Sequence, residues 1–200
     1  MVLDVAGLRE RLKRTPPAFS VYGDDDSGRD LAAVTPAAVL VPIVDHPSGL
    51  TVIFTKRTSH LKAHSGQVSF PGGKAEPEDP TPEFTALREA QEEIGLPLER
   101  VEVLARLPDY RTRTGFSVTP VVGLLTPPFA LTPDPREVEE VFEEVFEVPL
   151  AFLLDPANHG RESRELQGRK VAYYVMRYAE RTIWGATAGM LVNLYRHLAE

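Results

Sequence analysis

Three glutamates constrain this 200-residue chain more than any other feature. Glu89, Glu92 and Glu93 lie in the segment Ala86–Leu96, ALREAQEEIGL, at spacings i, i+3 and i+4. On a helix each residue advances about 100°, so these carboxylates converge on one face. Ala86, Leu87, Ala90 and Ile94 fall on another face and suit packing against a sheet. The ends of this helix are written in the sequence. Thr81 is a candidate N-cap, Pro82 fits the first helical position, Glu83 favours the dipole, and Gly95 supplies the stop. Converging carboxylates repel one another unless cations intervene. Arg88, four residues before Glu92, relieves part of that repulsion. A hard divalent ion relieves more, because Mg²⁺ prefers carboxylate and water oxygens. An exposed acidic helix face is the plain alternative, and its neighbours argue against it.

Those neighbours are Phe70-Pro71-Gly72-Gly73-Lys74, with Arg57 and Lys62 before them. Paired glycines let the backbone approach a ligand closely. Cations, a glycine loop and a carboxylate helix together suit a metal-bound diphosphate. The formal net charge of −7 makes general nucleic-acid binding unfavourable. A small phosphorylated substrate therefore needs a local cationic patch and a metal. The absence of cysteine excludes disulfides, thiolate zinc sites, iron–sulfur clusters and a Cys nucleophile. It fits a reducing compartment, and a cytoplasmic location is expected. The longest apolar run, Ala37–Val44, is far short of a membrane span.

The rest of the chain reads as α+β. Residues 1–34 form an N-terminal helix and a Gly/Asp/Ser-rich loop extension, and residues 35–200 the main domain. Strands are predicted at Ala37–Val44, Leu50–Thr55, Val101–Arg106, Val118–Leu125 and Lys170–Tyr178, with a closing helix at Thr187–Leu198. Residues 56–80 read as a long polar loop, of the length that is usually functional. Glu137–Val148 is ambiguous between helix and strand. The order is not a regular βαβ repeat, so a mixed sheet flanked by helices is expected.

With these residues in view, the segment resembles the signature of the Nudix hydrolases. Arg88-Glu89-Ala90-Gln91-Glu92-Glu93-Ile94-Gly95-Leu96 matches the second half of that signature, with a small Ala90 at an aliphatic position. In the first half, five residues separate Gly73 from Asp79, where the family has Glu, and one extra residue then precedes Arg88. The roles of Glu76, Glu78 and Asp79 stay open at this point. The preceding stretch resembles the coenzyme A pyrophosphatase branch. Thr55, Arg57, Gly66, Phe70, Pro71, Gly72 and Gly73 match its signature, and Lys62 replaces an Arg.

The resemblance implies a Nudix-type α/β/α sandwich with a mixed β-sheet and a loop–helix–loop metal site. It implies Mg²⁺ or Mn²⁺ held by Glu89, Glu92, Glu93 and the Gly73 carbonyl, with Arg88 orienting the glutamates. It implies hydrolysis of the coenzyme A diphosphate to 4′-phosphopantetheine and 3′,5′-ADP. ADP-ribose or a nucleoside triphosphate is the alternative substrate, and a non-catalytic nucleotide-binding module the alternative class. Candidate substrate contacts are Arg57, Lys62, Gln67, Phe70, Gly72, Lys74 and Arg111, with Arg113 a further cation. Candidate bases are Glu140, Glu143 and Glu144. His60 and His64 lie near the loop but read as structural or solvated. The N-terminal helix and the aromatic C-terminal strand are candidate surfaces for a homodimer.

Overall fold

The computed structural model describes residues 1–16, 34–57, 66–132, 142–166 and 168–199. Its centre is a mixed sheet. Strand β1 (Thr35–His46) runs antiparallel to β2 (Gly49–Arg57) and parallel to β7 (Phe116–Leu125) over ten residue pairs. Strand β5 (Val101–Arg106) pairs antiparallel with β7. Short strands extend this frame. β3 (Val68–Ser69) pairs with β2, β4 (Gly72–Lys74) with β1, β6 (Tyr110–Arg111) with β7, and β8 (Phe142–Pro149) with the outer side of β2.

The apolar run of β1 is explained by burial on both faces. Side chains alternate along a strand. Ala38, Leu40 and Val44 join Ile53, Val121 and Leu125 under helix α2 (Pro82–Ile94), which contributes Ala86, Ala90 and Ile94. Val41 and Ile43 face the other way, with Val52, Phe54, Val122 and Leu124. That larger core takes in helix α1 (Val5–Leu12) through Leu8 and Leu12, and the C-terminal helix α4 (Gly185–Ala199) through Met190, Leu191 and Leu194. The result is helix, sheet, helix. It is the expected mixed α+β sandwich.

A second antiparallel sheet, ordered β11-β10-β9, covers part of the larger core. It consists of β9 (Gly160–Leu166), β10 (Arg169–Tyr178) and β11 (Arg181–Trp184), and follows the single-turn helix α3 (Leu150–Leu153). Met176 and Ile183 point from it into the core. The ambiguous segment is a strand from Phe142 onward, pairing with β2, and residues 137–141 lie outside the described residues. The stretch read as one loop, 56–80, contains β3 and β4. These two strands seat the candidate site.

Candidate active site

Helix α2 is fixed at both ends and along its side. Thr81 Oγ1 accepts from Phe84 N at 3.2 Å, and Gly95 closes the helix in the left-handed region at φ 61°. Near the N-terminus, Arg106 of β5 donates to both carboxylate oxygens of Glu83, at 2.8 and 2.7 Å. With Ala86, Ala90 and Ile94 against the sheet, Arg88, Glu89 and Glu93 are turned toward β4.

Strand β4 lies tightly between β1 and α2. A Cβ on Gly72 would lie 2.4 Å from the Ala38 carbonyl oxygen. A Cβ on Gly73 would lie 2.4 Å from the Glu89 carboxylate carbon. The Glu89 carboxylate therefore rests directly on the Gly73 backbone. Glu93 Oε2 accepts from Gly72 N at 3.0 Å. These two contacts lock the loop to the helix.

Arg88 is the hub. Its Nη1 donates to Glu89 Oε1 and to Glu92 Oε2, each at 3.0 Å. Its Nη2 reaches the Lys74 carbonyl at 3.3 Å and Asp79 Oδ2 at 2.9 Å, and its Nε reaches Asp79 Oδ1 at 3.2 Å. Asp79 has a side chain only 2% exposed and also accepts from Glu76 N at 3.0 Å and Thr85 Oγ1 at 2.9 Å. Hydrogen bonds from Arg88, then from the Glu76 backbone, hold its carboxyl well below the usual carboxylate range. Arg88 is correspondingly raised, first by Asp79. Glu89 is pushed up by burial, an effect its Arg88 contacts offset in part.

Asp79 was the residue whose part the sequence left open. Its signal was its place, separated from Gly73 by five residues. Glu76 and Glu78 are exposed, so the acidic position that clamps Arg88 is Asp79.

The other expected residues fall into groups. Gly72, Gly73, Lys74, Arg88, Glu89, Glu92 and Glu93 come together around β4 and α2. Arg57 and Gln67 meet at the end of the β2–β3 pair, where Arg57 N donates to the Gln67 carbonyl at 3.0 Å. Arg111 is exposed on β6, beside Ser117 of β7, which neighbours Pro36 of β1. It thus shares one end of the sheet with β4 but stands three strands away, roughly 14 Å. Phe70 corrects an expectation. It is 3% exposed in the larger core, stacked on Phe54 with centroids 5.1 Å apart, so it packs rather than faces a substrate. Lys62, His60, His64 and Glu140 lie outside the described residues, as does the side chain of Glu143. Glu144 is paired with Arg181 of β11, which also lies over the Phe146 ring at 4.4 Å. That pairing lowers its pKa.

The donor set is all hard oxygen. Among the described residues, no three His, Cys, Asp or Glu side chains already close around one point. Glu92 is turned onto Arg88, leaving Glu89 and Glu93 beside the Gly72–Gly73 backbone. This suits a hydrated ion, since Mg²⁺ commonly takes only one or two carboxylates and keeps several waters.

A NUDIX domain family model matches residues 34–166. The chain belongs to the Nudix family. The matched region begins just before β1 and ends with β9, so it contains the whole loop–helix unit. The chain is 40% identical to the Nudix hydrolase NudL of Photorhabdus laumondii over 158 residues, covering 79% of this chain and 82% of that one. It is likewise 40% identical to NudL of Pectobacterium atrosepticum, covering 82% and 83%. Among solved structures, the Nudix hydrolase RenU from M. Smegmatis aligns with a TM-score of 0.48 at 23% identity, over 60% of this chain and 73% of that chain. This Nudix chain is thus a hydrolase of nucleotide derivatives, a family that generally uses divalent metal ions. No described helix is long and apolar enough to cross a membrane.

Proposed function

We propose that this Nudix hydrolase cleaves the diphosphate of coenzyme A or its derivatives, adding water to give 4′-phosphopantetheine and 3′,5′-ADP. One observation carries this reading. Strand β3 returns along β2, pairing Ser69 with Thr55 and Val68 with Lys56, so the segment from Thr55 to Gly73 folds back on itself. It ends on Gly72 and Gly73, in contact with Glu93 and Glu89. The described ends of the block that resembles the coenzyme A branch are thus paired with each other, and its last residues touch the carboxylate helix.

In this reading Glu89, Glu93 and the Gly73 carbonyl hold Mg²⁺ or Mn²⁺, with Glu92 alongside. The ion neutralises diphosphate charge and activates water when bound. Arg88, itself held by Asp79, keeps the carboxylates apart and oriented, which preorganises the site before substrate arrives. Gly72 N fixes Glu93. Arg57 and Lys74 offer positive charge to the phosphates of the substrate. Arg111, farther along the sheet end, is placed for a more distant phosphate such as the 3′-phosphate. Gln67 lies beside Arg57 as a neutral hydrogen-bonding partner. Glu144, tied to Arg181, is not assigned the base.

The test incubates the pure protein and Mg²⁺ with coenzyme A, ADP-ribose and nucleoside triphosphates in parallel, with products separated by chromatography. Metal-dependent release of 3′,5′-ADP from coenzyme A, lost in Glu93→Gln, supports the reading. Cleavage of ADP-ribose or triphosphates with coenzyme A untouched overturns the substrate and leaves the metal helix standing.

A further inference from the structure

The second sheet has an edge that the hydrolase reading does not use. Strand β9, GRESREL, pairs with β10 through its inner side, from Gly160 opposite Val175 to Leu166 opposite Arg169. No described strand pairs with its outer side. An open edge presents unpaired N–H and C=O groups and is a template for another strand. Proteins often protect such edges with proline or with charges, which repel a second strand when they share one sign. β9 has no proline. Its charges alternate instead as Arg161, Glu162, Ser163, Arg164, Glu165, and all of these except Glu162 are exposed.

We propose that the outer edge of β9 joins two copies of this chain, paired antiparallel about a two-fold axis through Ser163. In that register Arg161 faces Glu165 of the partner subunit and Glu162 faces Arg164 of the partner subunit. The two-fold repeats both pairs. Opposite charges directly across an antiparallel pair stabilise it, and like charges oppose it. The pattern also selects the register. Moving the axis half a residue one way sets Arg161 against Arg164; moving it the other way sets Glu162 against Glu165. Moving it a whole residue sets Glu162 against itself or Arg164 against itself. Among these neighbouring registers, only the one centred on Ser163 contains no like-charge pair.

The edge is also partly ordered in advance, which lowers the entropic cost of association. Glu162 accepts from the Tyr173 hydroxyl at 3.2 Å and is paired with Arg177. Arg164 lies over the rings of Trp184 and Tyr173, at 5.3 and 5.9 Å. Those two rings meet edge to face at 5.7 Å. Pairing makes one six-stranded sheet. A single strand pair buries less than the roughly 1,000 Å² of a stable interface. The dimer is therefore concentration-dependent, and salt weakens it.

The test is sedimentation velocity of the full chain over a concentration series, at low and high salt. The wild type is expected to dimerise, more weakly at high salt. Arg161→Glu and Glu165→Arg should each weaken association by about tenfold or more. The double variant R161E/E165R should restore it, because the pair is only reversed. Arg161 and Glu165 are exposed, so circular dichroism should show all three variants folded. Hydrogen exchange should show β9 amides gaining protection as the wild-type concentration rises. A wild type that stays monomeric throughout overturns the proposal. So do single variants that dimerise like the wild type, or a double variant no better than the singles.

Discussion

Asp79 grips Arg88 at two points, Oδ1 to Nε at 3.2 Å and Oδ2 to Nη2 at 2.9 Å. The remaining Arg88 nitrogen, Nη1, is thereby aimed at Glu89 and Glu92. Asp79 thus sets, through Arg88, the positions of the Glu89 and Glu92 carboxylates. Asp79→Asn keeps the shape and removes the charge. Metal affinity is expected to fall about 10- to 100-fold. The unfolding midpoint should fall as well, because the largely buried Asp79 side chain no longer offers Arg88 a charge, leaving Arg88 only Glu89 and Glu92. Mn²⁺ titration followed by electron paramagnetic resonance reads the first effect and a thermal melt the second. Unchanged Mn²⁺ affinity would remove Asp79 from any role in the site.

Much of this unit was legible because its determinants are local. Thr81, Pro82 and Gly95 mark the ends of α2, and Ala86, Ala90 and Ile94 its packed face. The strands with apolar runs were legible for the same reason. Strand β9 was not, since GRESREL has no apolar alternation and is a strand only because β10 pairs with it. The clamp was not legible either. It depends on a turn in which Glu76 N reaches Asp79 Oδ2, and that turn sets how far the loop carries Asp79 toward α2. Phe70 looked like part of the site because it lies in the same signature as Gln67, Gly72 and Gly73. Its neighbour Pro71 instead accepts from Leu40 N in β1, and the Phe70 ring turns into the core.

Arg57 closes β2 beside Gln67, at the start of the block that folds onto Gly72 and Gly73. Arg57→Ala should raise KM for coenzyme A by about tenfold or more, the loss of one charged hydrogen bond. The unfolding midpoint should barely move, as the residue is only partly buried at a strand end. Steady-state kinetics with coenzyme A and with ADP-ribose separate the effects. Equal kinetics for wild type and variant on both substrates would place Arg57 outside the site.

His197 is 3% exposed on α4, and neither ring nitrogen has a hydrogen-bond partner among the described residues. A buried polar group left unsatisfied costs about 1–3 kcal/mol. His197→Leu replaces it with an apolar side chain of similar size in a core that already contains Leu194 and Leu198. The variant should be more stable by about 1 kcal/mol. Urea denaturation at neutral pH is the measurement. A lower midpoint would mean the imidazole is satisfied.

Glu83 and Arg106 pin the N-terminal turn of α2 to β5, and their pH dependence has a definite sign. The Arg106 hydrogen bonds lower the Glu83 carboxyl from 4.5 to about 2. The unfolded chain therefore binds the proton first as pH falls. The stability this pair contributes is complete above 4.5, declines as pH drops, and is gone below about 2. Glu83 is 27% and Arg106 48% exposed, so solvent screening holds the contribution below about 1 kcal/mol. For a chain of this size that is about 2–4 °C in the melting midpoint. Glu83→Gln should melt lower than wild type by no more than that at neutral pH. The gap should narrow as pH falls through the window between 4.5 and about 2. Asp79 and the other carboxylates titrate in both proteins, so the difference between the two melting curves isolates Glu83. A gap that stays constant across that window would show that the variant acts through helix packing and not through the ion pair.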